Sequence, residues 1–217
     1  MEYRLTPELL LRAYTSGLFP MGEARGDSDI VWVDPEWRGV IPLDGFRISR
    51  RLRRRVRNAG FDVRTDTAFE RVMEACAAPR RGRRETWINR DILRAYAELH
   101  RAGYAHSVEC WRGDSLAGGL YGVAIAGAFF GESMFAAETD ASKVALVHLV
   151  ARLDHAGYRL LDTQFLTDHL AQFGAVEVAR REYRLLLQRA LSVEVEFPPA
   201  LPESEFERYV QSFTQTS

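Results

Sequence analysis

The chain has 217 residues, a formal net charge of −1 and 47% hydrophobic residues, enough to bury the core of one domain or of two unequal ones. It has no apolar run of about 18 residues and no basic segment leading into an apolar core at its start, so we expect neither a membrane span nor an export signal. Cys76 and Cys110 lie in unrelated contexts, which is typical of free thiols in the cytoplasm, where we expect the protein to reside. No histidine has zinc-ligand spacing with a cysteine, so we expect no metal site.

The first sixty residues predict a small α+β unit. Its elements are, in order, a helix that begins after Thr6 and ends at Gly17, a break at residues 19–22, strands at 30–33 and 39–43, and a short helix at 49–57. Thr6 is a typical N-cap residue, and Pro7 suits the first helical position because its missing N–H would have no partner there.

The remainder of the chain predicts a mixed sheet with helices on its faces. Its elements are a helix from a capping box at Thr67 to Ala77, a helix at 90–102, three strands between His106 and Phe135, a helix from Asp140 to His155, a strand at 159–164, a short helix near 167–173 and a helix at 181–191. Antiparallel strands, a helix and a return strand are the order found in acetyltransferase-like domains. We therefore predict an α+β protein with a GNAT-like mixed sheet.

Three parts of the chain follow from these elements. We predict a small N-terminal domain over residues 1–60, an acetyltransferase-like catalytic domain over residues 61–191, and a peripheral acidic tail over residues 192–217. The tail holds five glutamates against Arg208, whereas residues 47–84 hold thirteen arginines against four acids. Such an asymmetry predicts a local binding surface for a polyanion.

Two polar residues interrupt an apolar strand near the end of the predicted sheet. Asp162 and Gln164 are separated by one residue, so in a regular strand their side chains point to the same face, roughly 6.5–7 Å apart. A buried carboxylate is costly unless it is paired, which favours a functional role over a simple strand-end cap. An acid beside an amide can position an amine and stabilise a reacting carbonyl.

Two further candidates are open to either interpretation from the sequence alone. Glu132 lies between Phe130 and Phe135 and suits either a ligand amine or hydroxyl, or a structural partner such as an arginine. Trp87 follows a basic loop, where an indole can stack on a nucleobase, but the sequence favours a core tryptophan.

The arginines form the third candidate site. Phosphate binding requires several guanidinium groups on one surface, and the short helix and the loop after it offer such a set. Its members are Arg50, Arg53, Arg54, Arg57, Arg81, Arg83 and Arg84. A solvated helix face explains the helical arginines equally well. The pattern resembles no base-reading motif, so the contact it implies is to a phosphate backbone.

A coenzyme site is absent where acetyl-CoA enzymes of this architecture have one. Those enzymes hold the pyrophosphate on a glycine-rich turn at a helix N-terminus. Here the corresponding place reads Thr139-Asp140-Ala141-Ser142-Lys143, and the carboxylate of Asp140 would repel pyrophosphate. We therefore expect no coenzyme, and an acyl-CoA-dependent N-acyltransferase is the less favoured alternative. A non-catalytic RNA-binding module is also disfavoured, because RNA binding does not require the Asp162/Gln164 pair.

Taken together, these residues resemble the leucyl/phenylalanyl-tRNA–protein transferase family from about Leu5 to Leu191. The shared motifs are Gly17-Leu18-Phe19-Pro20, Asp34-Pro35, Arg47-Ile48-Ser49-Arg50, Thr86-Trp87-Ile88, residues 105–109, 118–123 and 131–135, Ala141-Ser142-Lys143, Asp162-Thr163-Gln164, His169-Leu170 and Arg180-Arg181. Well-known members have a longer N-terminal segment, and an aromatic residue where this chain has Met21.

The resemblance implies transfer of Leu or Phe, and less readily Met, from aminoacyl-tRNA to proteins that begin with Arg or Lys, which marks them for degradation by the N-degron pathway. It implies a monomer without metal or coenzyme. Asp162 and Gln164 would be catalytic, and Trp87 and Glu132 would hold the terminal adenosine and the aminoacyl group. The aminoacyl pocket would be lined by Leu120, Phe129, Met134 and Leu161. The arginines would bind the tRNA acceptor stem.

Overall fold

The computed structural model describes residues 5–22, 30–79 and 86–213. The helices of this part of the chain are α1 (Pro7–Thr15), α2 (Arg50–Asn58), α3 (Phe69–Ala77), α4 (Arg90–Arg101), α5 (Ala141–Ala156), α6 (Asp168–Ala171), α7 (Arg180–Leu191) and α8 (Glu203–Ser212). The strands are β1 (Phe19–Gly22), β2 (Ile30–Val33), β3 (Trp37–Ile41), β4 (Asp62–Thr65), β5 (Ala105–Arg112), β6 (Ser115–Ile125), β7 (Ala128–Ala136), β8 (Leu160–Gln164) and β9 (Val176–Ala179).

A seven-stranded sheet organises the molecule, with the strand order β4-β5-β6-β7-β8-β3-β9. All neighbouring strands are antiparallel except β7 and β8, which run parallel and are joined through α5. One face packs against α1, α3, α4 and α7, and the other against α2, α5 and α8. The predicted α+β class, with a mixed sheet between helices, is confirmed.

The two parallel strands separate partway along their length. Their pairing runs from Ala128 opposite Leu160 to Phe130 opposite Asp162, whereas β7 continues to Ala136. Beyond that point the sheet opens between β7 and β8. Gly131 stands at the fork, where an added Cβ would lie 3.4 Å from the backbone oxygen of Asp162.

Most predicted elements are confirmed, including α1 with its Thr6 cap, whose hydroxyl accepts from the Leu9 N–H at 3.3 Å. Two local predictions are wrong. Residues 19–22 do not interrupt the chain but form β1, which pairs with β2. Thr67 does not cap α3, because its hydroxyl donates to the buried carboxylate of Glu109, which also accepts from the Ala68 N–H at 2.8 Å.

Residues 192–213 pack against the core through the buried Phe197 and Val210, so the prediction of a peripheral tail is wrong for this part of the chain. Phe197 is buried, with its ring centroid 4.3 Å from that of His106 and 5.6 Å from that of Phe129. Helix α8 packs on α5, where the Phe206 ring lies 3.7 Å from the His148 ring. The division into parts at residues 60 and 191 stays a prediction, and in the sheet itself β3 is bonded between β8 and β9.

The packing of the C-terminal segment generates the first testable prediction. Phe197→Ala should lower the free energy of unfolding by about 3–5 kcal/mol, because it leaves a cavity against the sheet. Urea denaturation followed by circular dichroism measures the change. Leu185→Ala is the matched control, since Leu185 is 51% exposed on α7 and its truncation should cost less than about 0.5 kcal/mol. Equal small losses in both variants would contradict the packing described here.

Candidate active site

A cavity of about 170 Å³ lies in the opening between β7 and β8. Its wall combines β6, β7 and β8 with α5 and the α6 region, and it is lined by Leu120, Tyr121, Gly131, Glu132, Ser133, Met134, Leu146, Leu149, Leu161, Thr163, Gln164, Thr167, His169 and Leu170. Most of the surface of this wall is apolar, and its aliphatic members are Leu120, Met134, Leu146, Leu149, Leu161 and Leu170. An apolar cavity of about 150 Å³ binds benzene in another protein, so this one can hold a leucine or phenylalanine side chain.

Asp162 lies behind the cavity wall in a buried ion pair with Arg38. Arg38 Nη2 donates to Asp162 Oδ2 at 2.6 Å, and Nε donates to Oδ1 at 2.9 Å. The two side chains are 1% and 0% exposed. Burial disfavours the charge on Arg38, but the carboxylate of Asp162 outweighs it and raises the pKa of the guanidinium. The guanidinium of Arg38 therefore stays charged.

Aromatic rings and hydrogen bonds complete the surroundings of this pair. The Arg38 guanidinium lies 4.5 Å from the ring centroids of both Phe19 and Tyr183, and its Nη1 donates to the Gly17 carbonyl at 3.0 Å. The Tyr183 hydroxyl donates to Asp162 Oδ2 at 2.6 Å. Burial, followed by the charge of Asp162, raises the pKa of Tyr183, which keeps its proton and remains a donor.

The ion pair also fixes the backbone at Gln164. The Gln164 N–H donates to Asp162 Oδ1 at 2.8 Å, and the residue has a φ of 59°, in the left-handed region. The regular alternation of a strand therefore stops before Gln164, and the two side chains do not share one site. Gln164 lines the cavity and its Nε2 donates to Glu132 Oε1 at 3.3 Å, whereas Asp162 stays behind it.

Glu132 stands on the cavity wall with two tyrosines behind its carboxyl group. The Tyr14 hydroxyl donates to Oε1 at 2.7 Å, the Tyr96 hydroxyl donates to Oε2 at 3.2 Å, and the two hydroxyls contact each other. Burial raises the pKa of Glu132 to about 7, against the lowering effect of the hydrogen bond from Tyr14. This carboxyl group can therefore exchange a proton near neutral pH.

The structure brings some of the remaining predicted residues to the cavity and not others. Leu120, Met134 and Leu161 line it. Phe129 does not line the cavity: it lies on β7, is fully buried, and its ring centroid is 5.6 Å from that of Phe197. Trp87 is half-buried and packs against the core on the α1 side.

Four important residues were missed by the sequence interpretation: Arg38, Tyr14, Tyr96 and Tyr183. The signal for Arg38 was a lone arginine directly before the apolar run Gly39-Val40-Ile41.

Four of the predicted phosphate-binding arginines lie on α2, and none of these four lines the cavity. Arg50, Arg54 and Arg57 are exposed, whereas Arg53 is half-buried and donates to the Phe213 carbonyl at 3.3 Å. Arg81, Arg83 and Arg84 lie outside the described residues.

The start of α5 is the place where a pyrophosphate would bind. The carboxylate of Asp140 lies there, 3.4 Å from Lys143 Nζ and 3.7 Å from Arg51 Nη2. Its negative charge disfavours a pyrophosphate at this helix end. Within residues 5–22, 30–79 and 86–213, no three His, Cys, Asp or Glu side chains are grouped as metal ligands would be. No helix in the same ranges is long and apolar enough to cross a membrane.

Two family models match the chain. The model described as leucyl/phenylalanyl-tRNA protein transferase matches residues 40–188, and the one described as the N-terminal domain of the same transferase matches residues 3–36.

Curated relatives with the same description are similar to this chain over most of their length. The leucyl/phenylalanyl-tRNA–protein transferase of Afipia carboxidovorans is 58% identical over 89% of this chain and 85% of its own. That of Nitrobacter winogradskyi is 59% identical over 91% and 88%, and that of Caulobacter vibrioides 57% over 91% of both chains. Among solved structures, L-PGS from Bacillus licheniformis matches 93% of this chain and 62% of its own, with 15% identity and a TM-score of 0.39.

The buried ion pair generates a prediction about stability. Arg38→Met should lower the free energy of unfolding by about 3–5 kcal/mol, because it leaves the carboxylate of Asp162 buried without its partner. Arg38→Met combined with Asp162→Leu should cost less than the sum of the two single changes. The measurement is urea denaturation of Arg38→Met, of Asp162→Leu and of the double variant.

Arg64→Met is the control, because Arg64 and Asp62 form an exposed pair whose loss should cost about 0–1 kcal/mol. A loss for Arg38→Met no larger than that of this control would contradict a stabilising role for the pair.

Proposed function

Because the chain belongs to the leucyl/phenylalanyl-tRNA–protein transferase family, we propose that it transfers Leu or Phe, and less readily Met, from aminoacyl-tRNA to the N-terminal α-amino group of proteins that begin with Arg or Lys. The observation that carries this proposal is the cavity between β7 and β8. It has an aliphatic interior, and the Gln164 amide and the Glu132 carboxyl group lie together on its wall.

The aliphatic part of the cavity suits the side chain of the transferred amino acid. Leu120, Met134 and Leu161, which the sequence predicted, are joined there by Leu146 and Leu149 of α5. One methylene in such a pocket changes binding by roughly 1–3 kcal/mol, so discrimination among unbranched or aromatic apolar side chains is modest. Phe129 is fully buried and does not line the cavity. Trp87 is proposed to hold the terminal adenosine.

The proposed reaction needs alignment more than activation. The aminoacyl group is already an ester on the tRNA, and a free α-amino group has a pKa of about 7.7–8.0, so a substantial fraction is neutral near neutral pH. Gln164 is proposed to hydrogen-bond either the attacking amine or the oxygen that gains charge when the amine adds to the carbonyl.

Asp162 is proposed to act through Gln164. Its oxygens accept from Arg38, Tyr183 and the Gln164 N–H, and Asp162 does not line the cavity. Direct deprotonation of the amine by Asp162 would require it to leave these donors. We therefore assign it the role of a positioning residue that holds Gln164 in its left-handed conformation.

The arginines of α2 are proposed to bind the phosphates of the acceptor stem. The exposed Arg50, Arg54 and Arg57 lie on a helix that contains no acidic residue. Arg53 already donates to a backbone carbonyl and contributes less to this surface. Arg81, Arg83 and Arg84 are proposed to belong to the same surface from the sequence alone. In the cell, the transfer is proposed to mark proteins for N-degron degradation by a cytoplasmic, monomeric enzyme.

The test of the proposed function is incubation with radiolabelled Leu-tRNA and a protein that begins with Arg. We expect the label on the N-terminal residue of that protein, no label on a matched protein that begins with Ala, and no requirement for coenzyme A. Transfer that depends on acyl-CoA, or RNA binding without transfer, would contradict the proposal.

Gln164 generates a prediction about rate. Gln164→Ala should lower kcat by about 10²–10³-fold, since the loss of one donor to a developing oxyanion has this effect in other acyl-transfer enzymes. Single-turnover transfer of leucine to an Arg-initiated peptide measures it. Gln188→Ala, an exposed glutamine on α7, should behave as the wild type. A normal rate in Gln164→Ala, with normal binding of Leu-tRNA, would remove Gln164 from the mechanism.

The α2 arginines generate a prediction about substrate binding. Reversing the charge with Arg50→Glu and Arg54→Glu should raise the KM for Leu-tRNA and reduce its dependence on salt. The same changes should not affect transfer from a short leucyl-adenosine analogue, which lacks the acceptor stem. Arg159→Glu combined with Arg189→Glu, two exposed arginines outside α2, controls for net charge because it also reverses two positive charges. Equal losses with both substrates would show that the changes damage the cavity and not a tRNA surface.

A further inference from the structure

We propose that Glu132 carries the proton during the transfer, accepting it from the attacking amine and returning it to the ribose oxygen that leaves. This inference rests on the proposed aminolysis of an aminoacyl ester. From the sequence alone, Glu132 suits either a ligand-binding role or a structural one. Its position on the cavity wall, beside Gln164 and in front of two tyrosines, supports a chemical one.

The first support is a comparison of the two carboxylates near the cavity. Asp162 accepts three hydrogen bonds from the charged Arg38 and one from Tyr183, so protonation of Asp162 would leave a buried guanidinium without its counter-charge. Among the described residues, the groups that donate to Glu132 are neutral: Tyr14, Tyr96 and the Gln164 amide. A proton on Glu132 therefore breaks no ion pair within this part of the chain.

The second support is the way the tyrosines accommodate both protonation states. The oxygens of Tyr14, Tyr96 and Glu132 form a triangle of mutual contacts. When Glu132 is a carboxylate, the hydroxyl protons of the tyrosines are available to it. When Glu132 is protonated, its O–H can donate to Tyr96, Tyr96 can donate to Tyr14, and Tyr14 can donate to the other carboxyl oxygen. Every hydroxyl then has an acceptor, so neither state leaves a buried donor unpaired.

The charged and titratable groups around Glu132 come from several elements. Burial and the negative charge of Asp162 on β8 raise the pKa of Glu132, while Tyr14 on α1, Tyr96 on α4 and the positive charge of Arg38 on β3 lower it.

Two more titratable groups line the cavity: Tyr121 from β6 and His169 from α6. Burial and Lys143 lower the pKa of His169, which is therefore neutral at pH 7. Together these surroundings place the pKa of Glu132 at about 7, where a group can both accept and release a proton.

The proposed steps balance as follows. The neutral amine adds to the ester carbonyl carbon, which forms the C–N bond and gives a tetrahedral centre with a positive nitrogen and a negative oxygen. Glu132 as carboxylate takes one proton from that nitrogen. The C=O bond re-forms and the bond to the ribose oxygen breaks with its electron pair on that oxygen. The ribose oxygen then takes the proton from Glu132, which returns to the carboxylate.

The experiment measures single-turnover leucine transfer to an Arg-initiated peptide, from about pH 5.5 to about pH 9. Glu132→Gln keeps the shape of the side chain but cannot accept the proton, and should lower the rate by about 10²–10³-fold with unchanged binding of Leu-tRNA. Tyr14→Phe removes a hydrogen bond that lowers the pKa of Glu132. In the plot of rate against pH, the acidic limb of the Tyr14→Phe variant should therefore move to higher pH. The reason is that a larger fraction of Glu132 is protonated, and so inactive, at each acidic pH.

The controls separate Glu132 from the acceptor amine and from general damage to the core. The amine titrates at about pH 7.7–8.0, and its limb should follow the peptide and not the enzyme variant. Tyr158→Phe removes a hydroxyl from another buried tyrosine, at the opposite end of β8, and should leave both limbs unchanged.

Two results would overturn the role of Glu132: a rate in Glu132→Gln within about threefold of the wild type, or an acidic limb that does not move in Tyr14→Phe. Failure of the wild-type enzyme to transfer leucine would instead overturn the proposed function.

Discussion

The ion pair between Arg38 and Asp162 is the interaction on which the rest of the site depends. Burying two charges costs several kcal/mol per ion unless each is fully paired. The residues around the pair must therefore supply the remaining hydrogen bonds and ring contacts of both charged groups. Those partners come from the segment after α1, from β1, β8 and α7, and they are Gly17, Phe19, the Gln164 N–H and Tyr183. Satisfying one buried carboxylate therefore joins the N-terminal segment to the central sheet. Asp162 also fixes the backbone of Gln164 by accepting its N–H, and Gln164 in turn lines the cavity.

The opening between β7 and β8 gives this polar cluster access to a substrate. Pairing of the two strands ends at Phe130 and Asp162, and beyond the fork the strands carry Glu132 on one side and Gln164 on the other. The apolar residues of β6 and α5 close the interior of the cavity. One side of the cavity can thus hold an apolar side chain while the wall at the fork presents an amide and a carboxyl group. This arrangement suits an enzyme that aligns an activated ester with an amine.

Much of the fold could be predicted from the sequence, because local patterns carried it. The helix at Thr6 and the three antiparallel strands follow from caps, turns and alternation. Leu120, Met134 and Leu161 of the cavity were instead expected from the resemblance to the transferase family. The partner of Asp162 could not be predicted, because Arg38 lies 124 positions away and only the strand order brings it next to β8. The capping box at Thr67 failed for a similar reason, since the buried Glu109 on β5 takes its hydroxyl. Phe197 looked like part of a charged tail, and its burial depends on a surface that forms only when the sheet is assembled.

The most direct test of this account is a structure of the protein with a non-hydrolysable leucyl-adenosine analogue. We expect the leucyl side chain to lie among Leu120, Met134 and Leu161, with its carbonyl oxygen within about 3 Å of the Gln164 side chain. Asp162 should remain bonded to Arg38 and should not touch the analogue. An analogue bound outside the cavity, or an Asp162 carboxylate that leaves Arg38 to contact it, would contradict the account.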